Sequence, residues 1–199
     1  MTAGQRFAKR GLDVGMALIG LVLAGWIVAI GFVLVAVDTG SSGFFRHERV
    51  GRHGRIFNLI KLRTMTDDPA ISTTVTAKDD PRITALGRFL RRMRIDELPQ
   101  LWNILIGDMS FVGPRPDVSG FADQLGGDDR IILSVRPGLT GPATLKYREE
   151  EEILQEQSDP ERYNREVLFP DKVRLNREYI DNYRFRTDLV LIWRTVFGR

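Results

Sequence analysis

Residues 14–37 carry the strongest pattern in the chain: 24 consecutive positions without a charged side chain, rich in Val, Leu, Ile and Ala. As a helix the run would be about 36 Å long, enough to cross roughly 30 Å of hydrocarbon. That is long for a buried core helix and longer than the apolar core of a secretory signal. The segment after it, Asp38-Thr39-Gly40-Ser41-Ser42-Gly43, also lacks a small-residue cleavage pattern. A membrane segment is therefore expected. Its flanks are unusual for a single crossing, because Arg6, Lys9 and Arg10 precede it and Arg46, Arg49, Arg52 and Arg55 follow it. A simple span would be basic on one side only, whereas here both ends look cytosolic. From the residues alone two topologies stay open, a true span and a re-entrant helix that dips in and returns. Gly15, Gly20, Gly25 and Gly31 offer places to bend, but no proline precedes Asp38 to force a break.

Beyond the membrane segment the periodicity changes. Residues 44–49 and 55–63 read as two strands of a hairpin around Gly51-Arg52-His53-Gly54. Alternation puts Phe57, Leu59, Lys61 and Arg63 on one face and Ile56, Asn58, Ile60 and Leu62 on the other. Residues 64–79 are polar and aperiodic, which predicts a mobile loop. Asp80-Pro81 then opens a predicted helix, Asp as cap and Pro in the first turn. Its apolar stripe is Ile83, Leu86, Leu90 and Met93, with Arg82, Arg88, Arg91, Arg92 and Arg94 around the rest. A second helix is expected from Asp96 to Ile106, stopped by Gly107. Two stiff loops follow, 109–116 and 136–142, and then a charged, solvated helix over 146–159. Near the C-terminus Leu189, Ile192, Trp193, Val196 and Phe197 recur at helical spacing behind Thr187 as cap; this stripe suits either core packing or an interface. The predicted class is α+β, mostly helical, with an N-terminal membrane helix, a small β-hairpin and amphipathic interfacial helices.

Composition narrows the chemistry. The chain has 199 residues, a net charge of +3 and no cysteine, so disulfides and thiolate metal sites are excluded. Arginine is concentrated in 46–63 and 82–94, and Glu149 begins a short acidic run. Local basic patches, not global charge, are therefore the guide to partners. Asp96 and Glu97 adjoin directly after the arginine-rich helix and at the expected start of the next one. A helix start and nearby arginines keep carboxylates ionised and attract phosphate, bringing an anionic nucleophile and an anionic ligand together. The competing reading is a helix cap with solvated salt bridges. Arg115, held between Pro114 and Pro116, is a candidate phosphate contact on a stiff loop. Mg²⁺ on Asp96 or Glu97 fits that chemistry, since it needs one or two carboxylates plus substrate phosphates. His47 and His53 lack metal-ligand spacing and read as turn or surface residues. Neither a Walker A sequence nor G-x-G-x-x-G occurs. The arginines lack an accompanying aromatic stacking surface, so nucleic acid is not expected as a partner.

Eight short stretches, in this order, resemble the bacterial sugar transferase family, the monotopic phosphoglycosyl transferases. They are Lys9-Arg10 with Asp13; Phe44-Phe45-Arg46 with Glu48-Arg49-Val50-Gly51; Lys61-Leu62-Arg63-Thr64-Met65; Asp80-Pro81-Arg82-Ile83-Thr84; Gly87-Arg88-Phe89-Leu90-Arg91; Asp96-Glu97-Leu98-Pro99-Gln100-Leu101; Gly107 through Pro116; and Arg136 through Gly141. The resemblance implies transfer of a phosphosugar from a UDP-sugar to a polyprenol phosphate such as undecaprenyl phosphate. UMP would be released, through a covalent aspartyl intermediate and with Mg²⁺, as the first membrane step of glycoconjugate assembly. Carried over, Asp96 is the nucleophile and Glu97 the acid–base or metal-associated neighbour. Lys61, Arg91 and Arg115 are phosphate-binding cations, with Arg63, Pro114 and Pro116 completing the binding set. Residues 1–40 would form the membrane-embedded part and 41–199 the catalytic domain of a minimal form, on the cytosolic face of the inner membrane and in contact with its lipids. A homo-oligomer is compatible with this organisation. Where the family often has Ser-Pro midway through the membrane helix, this chain has Gly25-Trp26; the double basic flank nevertheless favours re-entrance. The segment 140–152 departs from the family's Trp-containing pattern, and the sugar is not legible from it. The alternative is a non-catalytic, membrane-anchored scaffold that binds anionic lipid.

Overall fold

The computed structural model describes residues 1–66 and 80–198. Most of the expected polar loop, 67–79, lies outside the described residues. The chain begins with one helix, α1 (Ala3–Thr39), hydrogen-bonded without a break across the expected apolar run. Thr2 opens it with a capping box: its hydroxyl accepts from Gln5 N, and Gln5 Oε1 accepts from Thr2 N. Gly40, in the left-handed region at φ 65°, closes it.

One stripe of α1 is buried: Lys9, Asp13, Ala17, Gly31 and Val35. The polar end of this stripe is locked to the rest of the chain. Lys9 Nζ donates to Asp188 Oδ2 at 2.7 Å, Arg10 donates to the carbonyls of Ile104 and Leu105, and Asp13 Oδ1 accepts from Ser110 Oγ and Phe111 N. The opposite face is apolar and open, with Val22 80% and Trp26 63% exposed among its large side chains.

Strands β1 (Phe44–Val50) and β2 (Ile56–Leu62) form the expected antiparallel hairpin, Phe44 opposite Leu62 and Val50 opposite Ile56. Its turn works because His53 (φ 60°) and Gly54 (φ 77°) both accept a left-handed backbone. The next helix differs from expectation. α2 (Ala85–Arg92) starts five residues after Asp80, and Thr84, not Asp80, caps it by accepting from Gly87 N at 2.8 Å. Asp80 is engaged instead by Arg82, at 2.9 and 2.6 Å, and Ile83 bridges to Met65 beyond β2. This long-range pairing holds 80–83 out of the helix.

A single 3₁₀ turn, Ile95–Glu97, precedes α3 (Gln100–Ile106), which Gly107 stops at φ 97°. Pro99 has no N–H to donate, so the regular ladder begins only after it. Strand β3 (Ser110–Val112) pairs in parallel with β4 (Gly138–Thr140), tying together the two stiff loops. α4 (Pro142–Lys146) ends where the charged helix over 146–159 is expected to begin, and within that segment only α5 (Glu150–Gln155) is a regular α-helix. Next come α6 (Pro160–Tyr163), a π turn over Asn164–Leu168, α7 (Phe169–Asp181) and α8 (Phe185–Phe197). Thr187 is not the cap of α8; Arg184 occupies that position. Leu191 faces the core and Ile192 packs against it, while Leu189, Trp193, Val196 and Phe197 are exposed, so most of the C-terminal stripe is not core packing.

Three apolar clusters hold the fold. The largest joins the hairpin end, β3 and the C-terminal helices through Val50, Val112, Ile132, Val173, Ile180 and Leu191. A second unites Ala17 of α1 with Leu59, Leu101, Ile104 and Met109. The third unites Val35 with Leu62 and Leu90. The last two wedge β2 and α3 against α1, and the candidate site lies on these elements.

Candidate active site

Arg94 introduces the acidic pair in a left-handed conformation, φ 56°, uncommon for a non-glycine residue. Asp96 is buried, and Glu97 keeps 13% of its side chain exposed. α3 has only seven residues, so a helix N-terminus contributes less here than the sequence suggested. Side chains supply the positive field. Arg115 Nη2 lies 3.1 Å from Glu97 Oε1, and Arg94 Nη1 lies 3.7 Å from the same oxygen.

The two neighbouring carboxylates are driven in opposite directions. Burial, then the adjacent Glu97, raises the Asp96 carboxyl above its ordinary value despite Lys61 and Arg91. Burial also pushes Glu97 upward, but Arg115, Lys61 and Arg94 outweigh it and hold Glu97 below the ordinary range. Asp96 is thus the more basic of the two carboxylates, and Glu97 the one held as an anion beside Arg115. Burial, then Arg115, lowers the Lys61 ammonium.

Each cation is set by a specific piece of the fold. Lys61 sits near the end of β2, whose register is fixed by buried Asn103 of α3. Asn103 Oδ1 accepts from Ile60 N at 3.1 Å, and its Nδ2 donates to Asn58 O at 2.8 Å. Arg91 donates from Nε to Thr64 Oγ1 at 2.9 Å and from Nη2 to Met65 Sδ. That link needs close approach of α2 to the chain leaving β2: a Cβ on Gly87 would stand 2.1 Å from Thr64 O. Arg115 projects from the loop after β3, which is bound on both sides by Gly113 N→Thr140 O (2.9 Å) and Gly138 N→Pro114 O (2.7 Å).

Of the residues expected at the site, Asp96, Glu97, Lys61, Arg91 and Arg115 are therefore brought together. Pro114 and Pro116 serve through the backbone: Pro114 O accepts from Gly138, and Pro116 O accepts from Arg49 Nη1 at 3.4 Å. Arg63 reaches toward the end of α1, donating to Ser42 O at 3.0 Å with its guanidinium over Phe45. Sequence reasoning missed Arg49, Asp117 and the structural role of Asn103, whose only sequence signal was a polar residue within the apolar α3. It also misread His47, which is half-buried and bonded to Arg49 Nη2 at 3.2 Å.

Among the described residues no group of three or more His, Asp or Glu side chains could hold a metal. The two hard carboxylates of Asp96 and Glu97 fit a Mg²⁺ ion that completes its shell with substrate phosphate and water, and do not fit a fully protein-ligated ion.

The sequence matches the profile described as bacterial sugar transferase over residues 4–198. It is 43% identical over 143 residues to a putative undecaprenyl-phosphate N-acetylgalactosaminyl 1-phosphate transferase of Bacillus subtilis, covering 66% of this chain and 80% of that protein. An exopolysaccharide production protein, ExoY, of Sinorhizobium fredii is 32% identical over 95% of this chain and 84% of its own length. The undecaprenyl-phosphate galactose phosphotransferase of Salmonella typhimurium is also 32% identical, over 96% of this chain, which spans only 40% of that longer protein.

Proposed function

Because the chain belongs to the bacterial sugar transferase family, we propose that it is a phosphoglycosyl transferase moving a phosphosugar from a UDP-sugar to a polyprenyl phosphate. The observation that carries this reading is the acidic pair split in basicity and ringed by Lys61, Arg91, Arg94 and Arg115. An Asp96 oxygen attacks the β-phosphorus of the donor. The new Asp96 O–P bond forms as the bridging P–O bond breaks, and the electron pair leaves on UMP. An oxygen of the polyprenyl phosphate then attacks the same phosphorus and returns Asp96 as a carboxylate. Lys61 and Arg115 hold the phosphoryl oxygens and offset the negative charge of the transition state. Glu97 holds Arg115 in place; its depressed basicity argues against service as a general acid. Mg²⁺, held by Glu97 and Asp96 with the donor diphosphate, would supply further charge neutralisation. A lipid-binding scaffold would leave this clustering of cations around one acidic pair without a purpose.

The acceptor requires the site to lie at a membrane surface. Re-entrance of α1 is supported by the way its middle and its C-terminal part both pack near one strand. Ala17 and Val35, about 27 Å apart in a straight helix, belong to the clusters of Leu59 and Leu62, about 10 Å apart along β2. A Cβ on Gly31 would stand 2.8 Å from Leu62 Cδ1. Packing of this kind along both halves of α1 is what a helix that keeps its two ends on one side of the bilayer would need.

Mass spectrometry of protein incubated with UDP-sugar in the absence of lipid acceptor tests the chemistry. The wild type should gain one phosphosugar, and Asp96→Asn should gain none while remaining folded and membrane-bound. Full turnover by Asp96→Asn would sink the covalent mechanism.

A further inference from the structure

Lys61 belongs to a hairpin face that also carries Phe45, His47 and Arg49 from β1 and Phe57 and Leu59 from β2. At the far end of that face Arg49 is half-buried. Its guanidinium donates to the carbonyl of Pro116, the residue after Arg115, and to the His47 ring. Arg49, Lys61 and Arg115 thus converge from two strands and one loop. The compensation for these cations is uneven. Arg115 is paired with Glu97. Among the described residues Arg49 makes no ion pair, and Lys61 Nζ donates no hydrogen bond. The anion nearest in effect to Arg49 is Asp117, whose carboxyl is pushed up to about 6, chiefly by burial. His47 adds no charge, because burial, then Arg49 and Lys61, lower its ring below the usual histidine value. Burial and Arg115 in turn lower Arg49 itself. Cations crowded together in this way, of which Arg115 alone is ion-paired among the described residues, form a receptor for a multiply charged anion.

The order of the cations relative to the nucleophile assigns the phosphates. Arg115 is ion-paired at 3.1 Å with Glu97, the residue beside Asp96. Arg49 is bonded instead to the carbonyl of Pro116, one residue beyond Arg115, and among the described residues is ion-paired with neither carboxylate of the acidic pair. We propose that Arg49 binds the α-phosphate of the nucleotide, so that it holds the leaving group while Lys61 and Arg115 hold the phosphoryl group under attack. As the bridging P–O bond breaks, the released electron pair builds charge on the UMP phosphate. Arg49 offsets that charge and afterwards retains UMP as product. His47, uncharged and bonded to the guanidinium, orients it without competing for the anion. The inference rests on the proposed transfer from UDP-sugar, but its first test does not depend on the covalent step.

The test compares wild type, Arg49→Ala and Arg49→Lys in detergent micelles or nanodiscs, after thermal melting has checked that each folds. Binding of UMP should weaken at least 10-fold in Arg49→Ala and recover in part in Arg49→Lys, while binding of uridine is unchanged in both. Formation of the phosphosugar adduct from UDP-sugar should slow at least 10-fold in Arg49→Ala. Discharge of the preformed adduct by polyprenyl phosphate should keep its wild-type rate, because that step has no nucleotide in it. Unchanged UMP affinity in a folded Arg49→Ala overturns the assignment. So does slowed discharge with normal UMP binding, which would give Arg49 to the acceptor's phosphate instead. Failure of the wild type itself to form an adduct counts against the aspartyl mechanism, and the UMP and uridine measurements still decide the role of Arg49.

Discussion

At the scale of single residues the region around the acidic pair carries an electrostatic cost that a second carboxylate makes measurable. Asp117 follows the Arg115 loop and is influenced by Lys172, Arg49, Glu150 and Arg115, yet burial dominates and raises it from 3.8 to about 6. The folded protein therefore takes up a proton more readily than the unfolded chain between those values. The sign follows: stability from the neutral carboxyl is fully present below about pH 3.8 and is lost as pH rises through about 6. A gap of this size corresponds to about 1–3 kcal/mol once partial exposure is allowed for. Asp117→Asn should raise Tm at pH 8, and the gain should shrink steadily below pH 6. An equal Tm for the two proteins at pH 8 would mean that Lys172 and Arg49 already compensate the ionised form.

At the scale of elements the site depends on how closely α2 and α3 approach β2, and one glycine tests that dependence. Gly87 allows Thr64 O to come within 2.1 Å of where a Cβ would be, and Thr64 Oγ1 in turn holds Arg91. Gly87→Ala must push α2 away from the strand exit. A cost of about 1–3 kcal/mol is expected, with UMP release reduced by more than the loss of folded protein explains. Normal turnover in the variant would show that Arg91 is not held through this contact. The same interface explains which elements the sequence revealed. The hairpin and α1 were legible because each follows a local rule, period-two alternation with a turn tetrad in one case and an uncharged run in the other. Gly107 was legible as a stop for the same reason. The start of α2 was not, because the Ile83–Met65 bridge and the Asp80–Arg82 pair are tertiary choices that override a good local cap. β3 and β4 are three residues each, too short for any period to register. The candidate catalytic pair was conspicuous as adjacent carboxylates beside arginines, but Arg49 and Asp117 meet that site only through the folding of the hairpin against the Arg115 loop.

At the scale of the whole molecule the exposed apolar surface points to membrane association, and the packing bears on how the chain would meet the bilayer. α1 exposes Leu18, Ile19, Val22, Leu23, Trp26, Ile30, Val33 and Leu34, while Phe89 of α2, Met93 just after it, Trp102 and Ile106 of α3, and Trp193, Val196 and Phe197 of α8 are also open. A soluble monomer rarely leaves so many large apolar side chains in water. Aromatic residues and arginines on α2, α3 and α8 suit the headgroup region, where an apolar ring or stem can be buried with its polar end wet. Under the proposed re-entrant topology the basic flanks at Lys9 and Arg10 and at Arg46 and Arg49 belong on one side, that of the proposed nucleotide-sugar donor. The chain contains no cysteine, so single reporters can be placed cleanly. Gly4 and Ser42 lie on either side of the apolar run, are exposed, and have room for a side chain or only a weak bond to lose. In sealed inverted membrane vesicles, Gly4→Cys and Ser42→Cys should both react with an impermeant maleimide. In right-side-out vesicles both should stay protected until the membrane is permeabilised. Opposite behaviour of the two sites would establish a true span and refute re-entrance. It would also mean that the contacts of Ala17 and Val35 with β2 are not both kept in the bilayer.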